Sequence, residues 1–471
     1  MIGTAAEIAL QIGSGARSAA SVLAETRSLI QARNPGLNCF TATTFERAQR
    51  EAAAIDELRS KGKPLPPLAG VPYAVKNLFD VEGMTTLAGA KINAANAPAI
   101  ADATIVARMS RAGAVLLGAL NMEELAYGFL TENHHYGTTR NPRDPERGAG
   151  GSSGGSAAAV GAGMLPITLG SDTSGSIRVP ASLCGVFGLK PTYGRLSRGG
   201  TYPFVNSLDH VGPFANDVLG LALAYDAMQG PDPQDPACAQ RAIEPTLGAI
   251  EPTAAAVALT RGIRIGILGG WFNEWADPAA RRAVQSAAAA LGATEWTELK
   301  SAEVARAAAY VITAAEGGAL HRPRLLTQYQ EFGPSSRARL AAGTLIPASW
   351  VVQAQRVRRD AYSEALDLFG RFDLLIAAAA PAVAPRIGQE TLLINGRSIA
   401  TKAGLGVLTQ PISCIGLPVC TVPVWPGEGD TAAERALPVG VQLIGAPWRE
   451  DLCLAAARTL ERAGIAEIRL R

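Results

Sequence analysis

The stretch "RGAGGSSGGSAAAVGAG", Arg147–Gly163, puts seven glycines and three serines into an otherwise apolar region. It could be a hinge between domains, a phosphate cradle, or a turn that carries chemistry, and the choice decides the fold. A linker is flanked by extended polar sequence, whereas apolar segments resume within a few residues on both sides. A phosphate cradle follows a strand as GxxxxGK[ST], and no lysine follows these glycines. Gly151-Ser152-Ser153-Gly154-Gly155 fits GxSxG, the nucleophile elbow in which Ser153 would attack from the end of a strand. Here a loop, "RNPRDPERG", precedes it. The elbow also needs a downstream histidine as base; His134 and His135 lie upstream, and His321 falls on a predicted helix beside Arg322. The elbow is therefore disfavoured, and a different base is needed.

Lysine can serve if burial disfavours its charged form. Lys76, in "VPYAVKNLF", has no acidic neighbour before Asp80. Taken alone it could equally snorkel from a strand end. A second Gly/Ser turn, "GSDTSGSIR", shifts the balance, because successive backbone N–H groups at a helix start can hold an oxyanion.

The rest of the chain sets the frame. With 471 residues, 48% of them hydrophobic, it can bury one large core or several ordinary ones. A net charge of +2, from 43 basic and 41 acidic residues, gives no basic face for nucleic acid, so no direct nucleic-acid binding is expected. No apolar run is long enough to span a membrane, and the N-terminus lacks the basic start of a signal peptide. Six scattered cysteines form no CxxC pair and read as buried thiols of a reducing, cytoplasmic protein.

The pattern predicts helices near Ala5–Ile12, Ala19–Arg33 and Phe45–Arg59, the third opened by a Thr43/Glu46 capping box. "LAGVPYAVKN" reads as a strand ending near Lys76, Asp102 as the cap of a helix to about Arg111, and "AVLLGAL" as a strand buried on both faces. Further helices are expected at Asp217–Met228 and Pro278–Leu291, and from Ala302 to about Phe369 with a break at Pro347. "PITLG", "IRIGILG" and "FDLLIAA" read as strands, and the C-terminal region as strand, turn and helix. This alternation suggests a mixed, mostly parallel sheet, with a lobe boundary near "GPDPQDPA".

"GGSSGGS" at Gly150–Ser156, followed by "GSDTSGSIRVPASLCGVFGLKPTYGRLS" at Gly170–Ser197, resembles the signature of the amidase signature family. "PYAVKN", "NMEELAYG", "TENHHYGTTRNP" and "LPVGVQLIG" extend the likeness over nearly the whole chain. The resemblance implies an α/β amidase signature fold, a central mixed twisted sheet covered by helices on both faces. It implies a single amidase domain over residues 1–471, with a core signature region at about 70–215 and an inserted or peripheral helical lobe at about 230–370. It makes Ser176 the nucleophile, Ser152 a bridging serine after a cis peptide, and Lys76 the base. Backbone N–H groups of Thr173, Ser174, Gly175 and Ser176 would form the oxyanion hole, with Ser153, Asp172 and Arg178 in support. No metal or cofactor is implied.

Within the family the chain resembles two branches. One is the glutaminase component of tRNA-dependent amidotransferases, which carries an aspartate for the substrate ammonium where this chain has Gly406, and a glutamine where it has His210. The other hydrolyses a small carboxylated ureide of the 1-carboxybiuret type with release of ammonia. It shares "LPPLAGVPYAVKNLFDVEGMTTLAGAKIN", "LALAYDAMQGPDP" and "VLTQPIS" in this chain. A carboxylated substrate calls for a cation, best a bidentate arginine; Arg337 and Arg339 in "SSRARL" are the candidates, and Tyr127 and Gly128 fall on a loop that lines the family's pocket. Both branches further imply a homo- or heterodimeric assembly that includes a small helical accessory subunit.

Overall fold

Every residue of Pro72–Lys76, Val115–Leu120 and Ile167–Asp172 is buried, as the continuous apolar run of Val115–Leu120 requires of a strand covered on both faces. The computed structural model describes residues 2–251, 262–427, 429 and 431–469; residues 252–261 of the predicted lobe fall outside them. Among the described residues eleven strands form one sheet. Along the chain they are β1 (Phe40–Thr43), β2 (Pro72–Lys76), β3 (Val115–Leu120), β4 (Ile167–Asp172), β5 (Phe187–Lys190) and β6 (His210–Ala215). There follow β7 (Ile265–Leu268), β8 (Glu295–Thr297), β9 (Leu374–Ala378), β10 (Val419–Val424) and β11 (Val439–Gly445). Across the sheet the order is β1-β3-β2-β4-β6-β5-β10-β11-β9-β7-β8.

The sheet is mixed, but it is not mostly parallel. Only β2–β3, β2–β4, β7–β8 and β7–β9 run parallel, while the other six neighbouring pairs are antiparallel. Apolar continuity reports burial on both faces and carries no information on direction, which is where the sequence expectation fails. Helices cover both faces, and strands and helices share one main hydrophobic core.

Two predicted caps are replaced by tertiary bonds. Thr43 belongs to β1, and the residue before the Phe45–Ser60 helix is Thr44, whose hydroxyl donates 2.7 Å to the Leu116 carbonyl rather than capping. Asp102 accepts both Arg47 Nη atoms at 2.7 Å and the Glu82 N–H at 2.9 Å, so the Thr104–Arg111 helix starts without it. The stretch from Ala302 contains three helices, Ala302–Gln328, Pro334–Gly343 and Ala348–Arg371. Pro347 caps the last of them, and an additional break falls near Phe332.

The parallel β2–β4 pair positions the site. Its register, Tyr73↔Ile167 to Val75↔Leu169, brings Lys76 and the Ser171–Asp172 end of β4 to the same edge, the carboxyl edge where α/β sheets place their ligands. Close strand packing there depends on small residues. A Cβ on Gly212 of β6 would stand 2.1 Å from the Leu189 carbonyl oxygen and 3.1 Å from Ile177 Cδ1. Gly212→Ala is expected to destabilise the protein by about 1–3 kcal/mol through overpacking, read as a lower urea midpoint at an unchanged m-value.

Candidate active site

The first Gly/Ser run forms a loop that enters the Gly154–Gly161 helix, and its Gly151–Ser152 peptide is cis. The Ser152 carbonyl accepts the Glu123 N–H at 3.1 Å, and the Thr131 hydroxyl accepts from the Gly154 N–H at 3.1 Å. Ser153 turns away from solvent: its hydroxyl donates 3.1 Å to the Ser171 carbonyl and accepts the Ser171 N–H at 3.3 Å. The serine of the GxSxG pattern thus clamps the neighbouring strand.

Lys76 is fully buried at the end of β2. Its Nζ lies 2.6 Å from Ser152 Oγ and 2.8 Å from Ser171 Oγ. Burial pushes its ammonium down to about 7, against the opposing pull of the Asp172, Asp209 and Glu123 carboxylates. A substantial neutral fraction therefore exists near pH 7.

The second Gly/Ser run leaves β4 at Asp172 and turns into the Arg178–Cys184 helix. Asp172 and Arg178 are both wholly buried and meet in two bonds of 3.0 Å, Nε to Oδ2 and Nη2 to Oδ1. Oδ2 also accepts the Ile177 N–H at 3.1 Å. Burial alone would raise the Asp172 carboxyl, but the Arg178 charge and its hydrogen bonds hold it well below the usual carboxylate range. Arg178 Nη1 reaches on to the Thr409 carbonyl at 3.1 Å and Gln442 Oε1 at 2.8 Å, and the Thr409 hydroxyl donates 2.8 Å to the Ser174 carbonyl. Between these anchors lies Gly175 at φ +140, where a Cβ would stand 2.1 Å from Thr409 Oγ1. The N–H groups of Ser174, Gly175 and Ser176 donate to no acceptor among the described residues. No hydrogen bond joins Ser152 to Ser176 among them either.

A cavity of about 130 Å³ is lined by Ser176, Thr173 and Ser174 together with Tyr127, Gly128, Phe129, Arg339, Lys402 and Gln410. Arg339 stacks on Tyr127, its guanidinium carbon 3.9 Å from the ring centroid, and donates to the Tyr127 carbonyl at 2.5 Å. Arg337 does not line this cavity; its Nη1 donates 2.6 Å to Gln330 Oε1 and its guanidinium stacks on Tyr329. Gly406 lies beneath Phe129, and a Cβ there would stand 2.4 Å from the ring. A second cavity, of about 230 Å³, shares Thr173 and is bordered by Ser171, Asp209 and His210. His210 Nδ1 lies 2.6 Å from the Leu208 carbonyl, and burial holds the imidazole well below its usual range.

The sequence pattern of the Amidase family matches residues 22–454. The chain belongs to the amidase family. The amidase is 56% identical over 463 residues to AtzE, a 1-carboxybiuret hydrolase subunit of Pseudomonas sp. (strain ADP), covering 98% of this chain and 99% of that protein. It is 37% identical over 461 residues to the GatA-type component of the glutamyl-tRNA(Gln) amidotransferase of Moorella thermoacetica, covering 92% of this chain and 91% of the other. A solved structure of a vestigial protein complex that reveals the origins of an s-triazine catabolic enzyme superposes with a TM-score of 0.96 at 55% identity. It covers 99% of this chain and 100% of that one. A bacterial aryl acylamidase of the amidase signature family superposes with a TM-score of 0.88 at 28% identity, covering 98% and 96%.

Residues of the site that the sequence motifs do not single out include Ser171 beside Lys76, and Phe129, Tyr310, Thr313, Lys402 and Gln410 in the cavity wall. Ser171 and Gln410 left a signal, the first one residue before Asp172 in the second Gly/Ser turn and the second within "VLTQPIS". Because Asp172 and Arg178 are paired without access to water, Arg178→Met leaves a buried carboxylate uncompensated. The amidase is expected to lose about 3–5 kcal/mol of stability, measured by guanidinium unfolding at pH 7.

Proposed function

We propose that this amidase hydrolyses the terminal amide of a small carboxylated ureide, of the 1-carboxybiuret type, with release of ammonia. The observation that carries this reading is the charge of the cavity: Arg339 and Lys402 line it, and among its described lining residues there is no aspartate or glutamate. A carboxylate finds cations there, whereas the ammonium of free glutamine finds no carboxylate in the lining, Glu123 being buried behind Gly128. Phe129 fills the space over Gly406 that such an acid would occupy. The 56% identity to a 1-carboxybiuret hydrolase subunit supports the same assignment.

In this reading neutral Lys76 takes a proton from Ser152 as Ser152 takes one from Ser176, and Ser176 Oγ attacks the terminal carbonyl carbon. The unused N–H groups of Ser174, Gly175 and Ser176, with Thr173, hold the oxyanion; each such donor contributes about 3–4 kcal/mol. The relay returns the proton to the leaving nitrogen, ammonia departs, and an acyl-Ser176 remains. Water, deprotonated through the same relay, then releases a 1,3-dicarboxyurea-type acid and restores the serine. Catalytic hydrogen bonds commonly close only with substrate in place, and the contact still to form is the one between Ser152 and Ser176. Arg339 holds the carboxylate, and Tyr127 and Gly128 wall the site.

A small helical accessory subunit fits the same reading. The Pseudomonas relative is a subunit, the matching solved structure comes from a complex, and Leu326, Leu345 and Trp350 offer exposed apolar surface on the helical segment. Six free buried thiols fit a cytoplasmic location.

Ammonia release is expected from 1-carboxybiuret, with little from glutamine and none from a Ser176→Ala variant; robust glutaminase activity without ureide turnover sinks the assignment. The lysine sets the pH dependence. Protonated Lys76 accepts no proton, so kcat/KM is expected to rise with pH to half its plateau near 7, where burial holds the group. Below that it falls about tenfold per pH unit, a limb absent from the residual rate of Lys76→Met.

A further inference from the structure

The cavity wall opposite the nucleophile turn presents a set of polar groups that the relay does not use. Helix Ala302–Gln328 turns Arg306, Tyr310 and Thr313 to one side, at spacings of four and three residues. Tyr310 and Thr313 line the cavity, and Arg306 lies behind Gln410, whose backbone begins the short Gln410–Cys414 helix. Gln410 is 4% exposed. Its Oε1 accepts from Arg306 Nε at 2.9 Å, which fixes the carboxamide: the oxygen is taken, and the NH₂ end is left as a donor with no acceptor among the described residues. Thr313 Oγ1 is buried and has no hydrogen-bond partner among the described residues. Arg339 spends Nε on the Ser335 carbonyl and Nη2 on the Tyr127 carbonyl, leaving Nη1 without a partner among the described residues.

This wall is rich in donors. Buried donors left unmade are costly, about 1–3 kcal/mol each, so a ligand that suits them carries acceptors beyond the carbonyl under attack. A simple amide has one carbonyl, and the oxyanion donors serve it. A ureide has a second carbonyl two atoms further along a planar chain, and a carboxylate beyond that. On the ureide reading above, we propose that Gln410, held by Arg306, and Thr313 form the specificity subsite of this amidase. They donate from Nε2 and Oγ1 to the inner carbonyl of the ureide while Arg339 takes the terminal carboxylate.

The test compares 1-carboxybiuret with propionamide, which lacks the second carbonyl. Gln410→Glu keeps an acceptor for Arg306 and replaces the NH₂ with an oxygen. It is expected to raise KM for the ureide about 30-fold with kcat within about threefold, the size of one lost hydrogen bond to a charged or strongly polar group. The ratio of kcat/KM for ureide over propionamide falls by a similar factor. Thr313→Val, nearly isosteric, is expected to lower that ratio about five- to tenfold. Unchanged thermal midpoints show that both variants fold. Ratios within about twofold of the parent in both variants, or equal losses on both substrates, overturn the subsite and leave the ureide reading standing. A parent enzyme that hydrolyses propionamide but no ureide overturns that reading and the subsite together.

Discussion

The buried pair Asp172–Arg178 is the interaction on which the rest of the site depends. It closes the turn that carries Ser176, because Asp172 accepts both the guanidinium and the Ile177 N–H. Through Thr409 and Gln442 the same arginine anchors that turn to segments more than 200 residues away. It also governs Lys76. An unneutralised carboxylate at Asp172 would hold the lysine protonated, and in a low-dielectric interior that effect is large. The pull of Asp172 persists with Arg178 in place, and burial of Lys76 outweighs it, so that on the proposed mechanism the lysine can act as the base. Structure and reactivity therefore share one contact.

The second constraint is space. Two chain segments must enter one corner of the sheet, at the ends of β2 and β4, and both turn sharply there. Side chains are excluded where backbone meets backbone: a Cβ on Gly151 would stand 2.7 Å from the Leu130 nitrogen, and one on Gly155 2.5 Å from the Asn121 carbonyl oxygen. Small residues are thus dictated by packing, and the serines among them bring short hydroxyl side chains into the corner. A hydroxyl relay is a natural use of such a corner, since it needs neither the volume of an imidazole nor a charged partner at each step.

Much of this was legible in the sequence because it is local. A strand ending on a lysine and two Gly/Ser turns each leave marks within ten residues, whereas the parts given to Ser152, Ser176, Asp172 and Arg178 come from the family resemblance. What the sequence hid is set by tertiary contacts. Thr43 and Glu46 have the spacing of a capping box, but pairing of β1 with β3 takes the threonine into a strand. β6 and β10 each carry a proline, which weakens the strand pattern. Arg337 and Arg339 look equivalent in "SSRARL", yet two positions on a helix differ by about 200°. Only Arg339 can face the cavity, and which of the two does so is decided by how the Pro334–Gly343 helix docks. That docking rests on Glu124, whose carboxylate accepts the Gly333 N–H at 3.0 Å.

Phe129 shows how one packing choice redirects chemistry in a shared scaffold. Its ring lies against Gly406, close enough that no side chain fits beneath it. A carboxylate there would displace the ring and bring a negative charge into a cavity whose charged lining residues are Arg339 and Lys402. The glycine and the aromatic ring are therefore one feature. Together they leave no room for an acidic side chain at this position, and on the proposed function they offer a flat apolar wall against which a planar ureide can lie. On the proposed function, selectivity against the zwitterion follows from an ammonium with no carboxylate in the cavity lining, whose burial costs several kcal/mol.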